Sequence, residues 1–153
     1  MFRLVEQCPP LDPNSMYCNL LQCTHFSGTS AAAVMGDELV SFTSGYLLPG
    51  RNDTLFLWQV AVGEKARGKG LATRMVMDIL GRPHCRDVRY IETTITESNE
   101  ASWALFRKIA GLLDSAELNT SVMFDRNTHF ADRHDSEILV RIGPFTPHHN
   151  LSA

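Results

Sequence analysis

Along this chain the apolar positions follow two different periods, and each change of period marks an element. Residues 55–62, LFLWQVAV, form an apolar run rich in β-branched and aromatic side chains, which predicts a buried strand. Residues 63–70 are small and charged, a tight loop. From Leu71 the spacing turns helical: Leu71, Met75, Val76, Ile79 and Leu80 share one face. Gly81 and Pro83 end that helix. The order is therefore strand, glycine-rich loop, helix, and the rest of the chain is arranged around it.

The same reading extends in both directions. Residues 2–7 predict the last turns of a helix, broken by Cys8-Pro9-Pro10. Asp12 is a good N-cap with Pro13 at the first helical position. Met16, Tyr17, Leu20 and Leu21 then form an apolar face. Residues 31–35 and 38–48 flank Gly36-Asp37, a hairpin signal, and 49–53 turn the chain into the central strand. Residues 88–95 predict a strand parallel to 55–62. A further helix starts at Ser98 or Asn99 and runs to Ala110, with Gly111 as C-cap and Trp103, Phe106 and Ala110 on one face. Strands at 121–124 and 137–142 follow, separated by a polar loop over 125–135. Residues 143–153 read as a frayed tail.

The sum is one α/β domain over 1–153, with a mixed, mostly antiparallel sheet and helices on its faces. One pair of adjacent parallel strands can splay there, opening a cleft at their carboxyl ends.

Composition narrows the function. The chain has 153 residues, 44% of them hydrophobic and 20% charged, as expected of a globular domain. A net charge of −3 does not favour nucleic acid as a partner. No apolar run reaches the ~18 residues of a membrane span, and the first ten residues do not read as a signal peptide. Cys8, Cys18, Cys23 and Cys85 show no C-x-x-C spacing. Free thiols in a reducing cytoplasm are the expectation, and no metal site is expected.

The loop before the Leu71 helix has the chemistry of an anion site. The first amides of a helix lack internal partners and carry the positive end of its dipole. Gly68 and Gly70 permit close approach to the backbone, and Arg67 and Lys69 add charge. Three diphosphate patterns compete. Gly63 to Lys69 satisfies most of a P-loop, but Gly70 stands where the metal-binding hydroxyl belongs. Gly68, Gly70 and Arg74 fail the dinucleotide pattern, which needs glycine in the third place. Arg67, Gly70 and Ala72 satisfy R-x-x-G-x-A. A solvated basic turn is the alternative to any ligand role.

That last pattern resembles the acyl-CoA signature of the GNAT N-acetyltransferase superfamily, and the order of elements is similar to that family's. The family's first strand and part of its first helix have no counterpart here. More narrowly, four blocks resemble the diaminobutyrate acetyltransferases of ectoine biosynthesis. They are CPPLDPNSMYCNLLQCTHF from Cys8, LFLWQVAVGEKARGKGLA from Leu55, IETTITESNEASWALFRKIA from Ile91 and FDRNTHFADRHDSEILVRIGPF from Phe124. The resemblance implies transfer of acetyl from acetyl-CoA to the γ-amine of L-2,4-diaminobutyrate, in a cytoplasmic homodimer. Transfer to another small amine or a protein amine, and an inert acyl-CoA-binding module, stand as alternatives.

The resemblance also implies roles. Val60, Ala61 and Val62 offer backbone amides to the oxyanion. Arg67, Gly68, Lys69, Gly70, Leu71 and Ala72 hold the diphosphate. Asn99, with Trp103 on the same helix, meets the pantetheine arm, or Asn99 is only an N-cap. An amine with a pKa near ~10 must lose a proton before it attacks. Glu92 is the candidate base, or a strand carboxylate facing solvent. Phe106 stands where the superfamily often has a tyrosine acid and cannot donate, so Tyr17 is the candidate acid. Asp12, Tyr17, Trp58, Glu92, Thr93, Asp132 and His134 are candidates for substrate binding, with acids for the second ammonium and Trp58 for cation–π contact. The plainer readings are a cap for Asp12, core for Trp58, and a solvated loop for Asp132 and His134.

Overall fold

The computed structural model describes residues 1–11, 14–114 and 116–146. The fold is mixed α/β, with six strands, three in each of two compact units and antiparallel to their neighbours within each unit. Among the described residues, no helix is long and apolar enough to cross a membrane. Two compact units are distinguished, 1–88 and 89–146.

The first unit holds α1 (Phe2–Glu6), α2 (Met16–His25), β1 (Ala31–Met35), β2 (Glu38–Leu48), β3 (Arg51–Val62) and α3 (Leu71–Leu80). The three strands form consecutive antiparallel hairpins. Gly36 and Gly50 turn them, at φ 62° and 78°, angles that only glycine adopts without strain. β3 begins at Arg51, earlier than its apolar run predicts, because the polar residues at the hairpin tip still pair through their backbone, Leu48 opposite Arg51. α3 keeps its predicted bounds and buries Thr73, Met75, Val76, Ile79 and Leu80. Leu4, Val5, Cys8, Phe42 and Ala61 pack as a cluster between α1 and the strands.

α2 departs from expectation twice. It starts at Met16, capped by Ser15, whose Oγ accepts from the Cys18 N–H at 3.1 Å. Asp12 is not its cap, and both Asp12 and Pro13 lie outside the described residues. Its predicted apolar face is turned outward, with Met16, Tyr17 and Leu20 each more than 60% exposed. The buried residues are Asn19 and Gln22. The helix docks through polar contact: Ser44 Oγ on β2 donates to Gln22 Oε1 at 2.5 Å. A buried amide is stable only when it is bonded, so this contact sets the rotation of the helix.

The second unit holds β4 (Tyr90–Thr96), α4 (Glu100–Leu112), β5 (Leu118–Phe124), α5 (Arg126–Phe130) and β6 (Glu137–Ile142). β6 pairs antiparallel with both β4 and β5. Its buried apolar residues include Ile91, Phe106, Ile109, Leu113, Val140 and Ile142. α4 runs past the predicted glycine stop: Gly111 is inside the helix and Leu113 is its C-cap, drawn in by full burial. The 125–135 segment is more than a polar loop, because Asp125 caps the short α5 with bonds to the Asn127 and Thr128 amides. Nor is the chain frayed immediately after Ile142. Gly143 N–H bonds Glu117 O, Phe145 N–H bonds Arg89 O, both at 3.0 Å, and Phe145 is buried. Residues 147–153 of the expected tail lie outside the described residues.

β3 carries one irregularity that matters below. Gly45 pairs with Leu57 and Ser44 with Gln59, so Trp58 is the extra residue of a β-bulge. A Cβ at Gly45 would lie 2.6 Å from the Phe56 carbonyl oxygen. Gly45→Ala is expected to lower unfolding free energy by about 1–3 kcal/mol, the usual cost of overpacking. Equilibrium urea unfolding measures it, and an unchanged midpoint would show that the bulge relaxes freely.

Candidate active site

The loop from β3 to α3 has the geometry of a main-chain anion site. Gly63 N–H bonds Val40 O at 2.8 Å, fixing where the chain leaves β3. A short 3-10 turn, Glu64–Ala66, follows, with Ala66 buried beneath it. Arg67 Nε then reaches back to Val62 O at 3.3 Å. Gly68 and Gly70 are left-handed, at φ 75° and 71°, with open space where a Cβ would project. Gly70 is the N-cap of α3 and has no side chain to close it, and the first turn contains no acid. The amides of Leu71, Ala72 and Thr73 therefore meet no side-chain cap, and the partial positive charge of the helix start is left for an outside anion. Arg67, Lys69 and Arg74 are exposed around it.

The preceding strand presents two different faces. Leu55, Leu57, Gln59 and Ala61 are buried, while Val60 and Val62 are half-buried and Trp58 is 41% exposed. Trp58 is thus not core. Its ring meets Tyr46 edge-on at 6.4 Å, and Tyr46 also contacts Phe56 at 5.3 Å and Phe26 at 5.5 Å. The bulge and this aromatic row set the indole's position. The backbone of Val60, Ala61 and Val62 pairs with Ser41, Phe42 and Thr43 of β2. On α2, Tyr17 is 70% exposed, more open than a half-buried helix tyrosine.

In the second unit, Glu92 does not face solvent. Its side chain is 4% exposed and its Oε1 accepts from Arg141 Nη1, directly across the β4–β6 pair. Thr93, next in the strand, is also buried. Asn99 caps α4: its Oδ1 accepts from the Ser102 N–H at 3.2 Å. Trp103 sits one turn on, bonding Thr96 O through Nε1 at 3.1 Å with Arg107 over its ring. Phe106 is buried at 2% exposure, and no tyrosine replaces it on α4.

Asp132 and His134 belong to an ordered turn rather than a loose solvated one. Arg126 pairs with Asp132 and with Asp135. Ala131 and Asp132 adopt left-handed angles that bend the chain behind α5. The Thr128 hydroxyl and the Asn127 and Thr128 amides hold the Asp125 carboxyl below its ordinary pKa. His134 Nδ1 lies 2.7 Å from Asp135 O, its Nε2 is 3.9 Å from Glu137, and its ring packs on Phe130 at 4.7 Å.

Within the first unit the predicted cofactor residues from Val60 to Ala72 lie along one stretch of chain, from the end of β3 into the first turn of α3, with Trp58 just before it. Within the second, Asn99 and Trp103 share the start of α4, and Asp132 and His134 share one turn. Sequence reasoning missed Arg141, Tyr90, Arg126 and Phe130. The signal for Arg141 was present: one arginine inside an apolar strand, and one glutamate inside another.

Comparison with known proteins places the chain in a family. The model of the acetyltransferase (GNAT) family matches residues 2–112, and the chain belongs to that family. The L-2,4-diaminobutyric acid acetyltransferase of Methylotuvimicrobium alcaliphilum is 64% identical over 94% of this chain and 83% of its own. That of Halomonas elongata is 49% identical over 95% of this chain and 75% of its own. Among solved structures, diaminobutyrate acetyltransferase EctA from Paenibacillus lautus, in complex with L-2,4-diaminobutyric acid and coenzyme A, superposes with a TM-score of 0.88. It is 36% identical, over 94% of this chain and 87% of its own. Ard1 from Thermoplasma volcanium, at 12% identity and a TM-score of 0.72, shares the fold.

The cysteines give a check on the local packing. All four are free. Cys85, in the turn after α3, is buried, and burial raises its thiol pKa to about 11. Cys23 is exposed. Iodoacetamide at pH 8 is expected to alkylate native protein at Cys23 and spare Cys85 until unfolding, since only thiolate reacts. Peptide mass spectrometry reads this, and early modification of Cys85 would show that its cover opens.

Proposed function

We propose that this protein transfers the acetyl group of acetyl-CoA to the γ-amine of L-2,4-diaminobutyrate, giving N4-acetyl-L-2,4-diaminobutyrate for ectoine biosynthesis. One observation carries the reading: 64% identity, across 94% of the chain, to a diaminobutyric acid acetyltransferase. The TM-score of 0.88 to a relative holding both diaminobutyric acid and coenzyme A supports it.

The chemistry assigns each part a task. The amine must be deprotonated, attack the thioester carbonyl, form the C–N bond and break the C–S bond, while the thiolate takes up a proton. Arg67, Gly68, Lys69, Gly70, Leu71 and Ala72 hold the diphosphate through amides and charge. Val60, Ala61 and Val62 provide backbone N–H for the oxyanion. Asn99 and Trp103 guide the pantetheine arm. Glu92 receives the amine's proton, directly or through water, and Tyr17 returns one to the thiolate. Asp12, Trp58, Thr93, Asp132 and His134, with Tyr17 and Glu92, select a short diamine carrying one carboxylate. The reaction needs no metal.

We further assign the chain to the cytoplasm as a homodimer. Four free thiols suit a reducing compartment. β5 ends the sheet order, and Val122, Met123 and Phe124 on it are 59%, 41% and 39% exposed. An apolar edge strand of this kind needs a cover, and a second copy would supply it.

Thiol release with acetyl-CoA tests the activity. Diaminobutyrate should turn over at least about tenfold faster than lysine or ornithine, an energy gap of ~1.4 kcal/mol. Equal rates would refute the specificity, and coenzyme binding without turnover would mark an inert binding module. Gly70→Val should weaken acetyl-CoA binding about tenfold or more in calorimetry while the fold persists, because the added branch meets no neighbour but strains the backbone. Unchanged affinity would place the diphosphate elsewhere.

The dimer has its own test. Sedimentation equilibrium should give twice the chain mass, and Val122→Lys should shift it toward monomer. A wild-type monomer at micromolar concentration would overturn the assignment.

A further inference from the structure

The geometry points to Arg141 as a positioning residue for the transfer reaction, acting through Glu92. Among the described residues, Glu92 is the one charged side chain that is buried. Removing a charged side chain from water is costly unless an opposite charge meets it. Arg141 supplies that charge through Nη1 to Oε1. The two residues are directly opposed in the β4–β6 register, Glu92 against Arg141. The guanidinium is also fixed from a second side, with its Cζ 3.8 Å from the centre of the Tyr90 ring. Tyr90 precedes Glu92 by two residues on β4, so both project from the same face of the strand.

Arg141 is thereby clamped between a strand partner and a flat ring, and it clamps the carboxylate in turn. A planar fork held by stacking fixes the direction of its hydrogen bonds, which a flexible ammonium does not. The inference rests on the reading of Glu92 as the group that receives the amine's proton. Arg141 holds the Glu92 carboxyl in one orientation, toward β6. Tyr90 restrains Arg141 from behind.

Four variants separate this from a role in folding alone: E92Q, R141Q, R141K and E92Q/R141Q. Turnover is taken per acetyl-CoA-binding site, counted by calorimetry, so that misfolded protein does not enter. R141Q should lower kcat about tenfold or more with the KM for acetyl-CoA within about twofold of wild type. R141K should recover part of that loss, because it restores the charge without the fork. E92Q/R141Q should be no slower than E92Q alone, since residues acting as one unit do not lose activity twice. The double variant removes both charges together, so it should fold even where R141Q strands a buried carboxylate. Independent, multiplying losses in the double variant would overturn the inference, as would full activity of R141Q beside an impaired E92Q. Full activity of E92Q would instead overturn the reading of Glu92 on which the inference rests.

Discussion

The site depends on a helix start that no side chain closes. Helices are commonly capped by a serine, threonine, asparagine or aspartate whose oxygen takes up the first free amides. Three other helices here follow that rule, through Ser15, Asn99 and Asp125. α3 does not: Gly70 occupies its cap in a left-handed conformation. The amides that a side chain would have satisfied meet no side-chain cap. Gly68 and Gly70, both left-handed with open space where a Cβ would project, leave the backbone there open to close approach.

Placing that helix start is the work of β3. The strand is anchored by Leu55 and Leu57, which are fully buried, and loss of such side chains typically costs 2–5 kcal/mol. Its bulge moves Trp58 out of the core, and Gly45 on the neighbouring strand makes room for it. The exit from the strand is tied by Gly63 to Val40 and by Arg67 to Val62. Apolar packing thus fixes the direction of a polar loop. The same division of labour recurs in the second unit, where α4 is fixed by Ile109 and Leu113 while its first turn offers Asn99 and Trp103.

Charge is compensated locally and differently in the two acidic clusters. Glu92 is buried and met by one guanidinium stacked on an aromatic ring. Asp132 and Asp135 are exposed and share Arg126. In water such exposed pairs contribute little stability, so Arg126 shapes the turn more than it strengthens the fold. The buried pair is costly in isolation, and its place in the strand register makes it a matter of orientation.

By itself the sequence determined most of the elements and the glycine-rich loop between β3 and α3, because both are written in local spacing. The Gly36-Asp37 hairpin signal located β1 and β2, a helical run located α3, and Gly68, Gly70, Arg67 and Ala72 stand within six residues of one another. The four family blocks likewise singled out Glu92, Asn99, Trp58 and His134 as candidates. Only the tertiary structure decided which way α2 turns, because a buried Gln22–Ser44 bond outweighs an apolar stripe that nothing in the first unit covers. It also decided that α4 passes through Gly111, that Trp58 is outside the core, and that Glu92 meets Arg141 across 49 residues of chain. Those outcomes depend on partners distant in sequence, and burial and strand register, not propensity, select them.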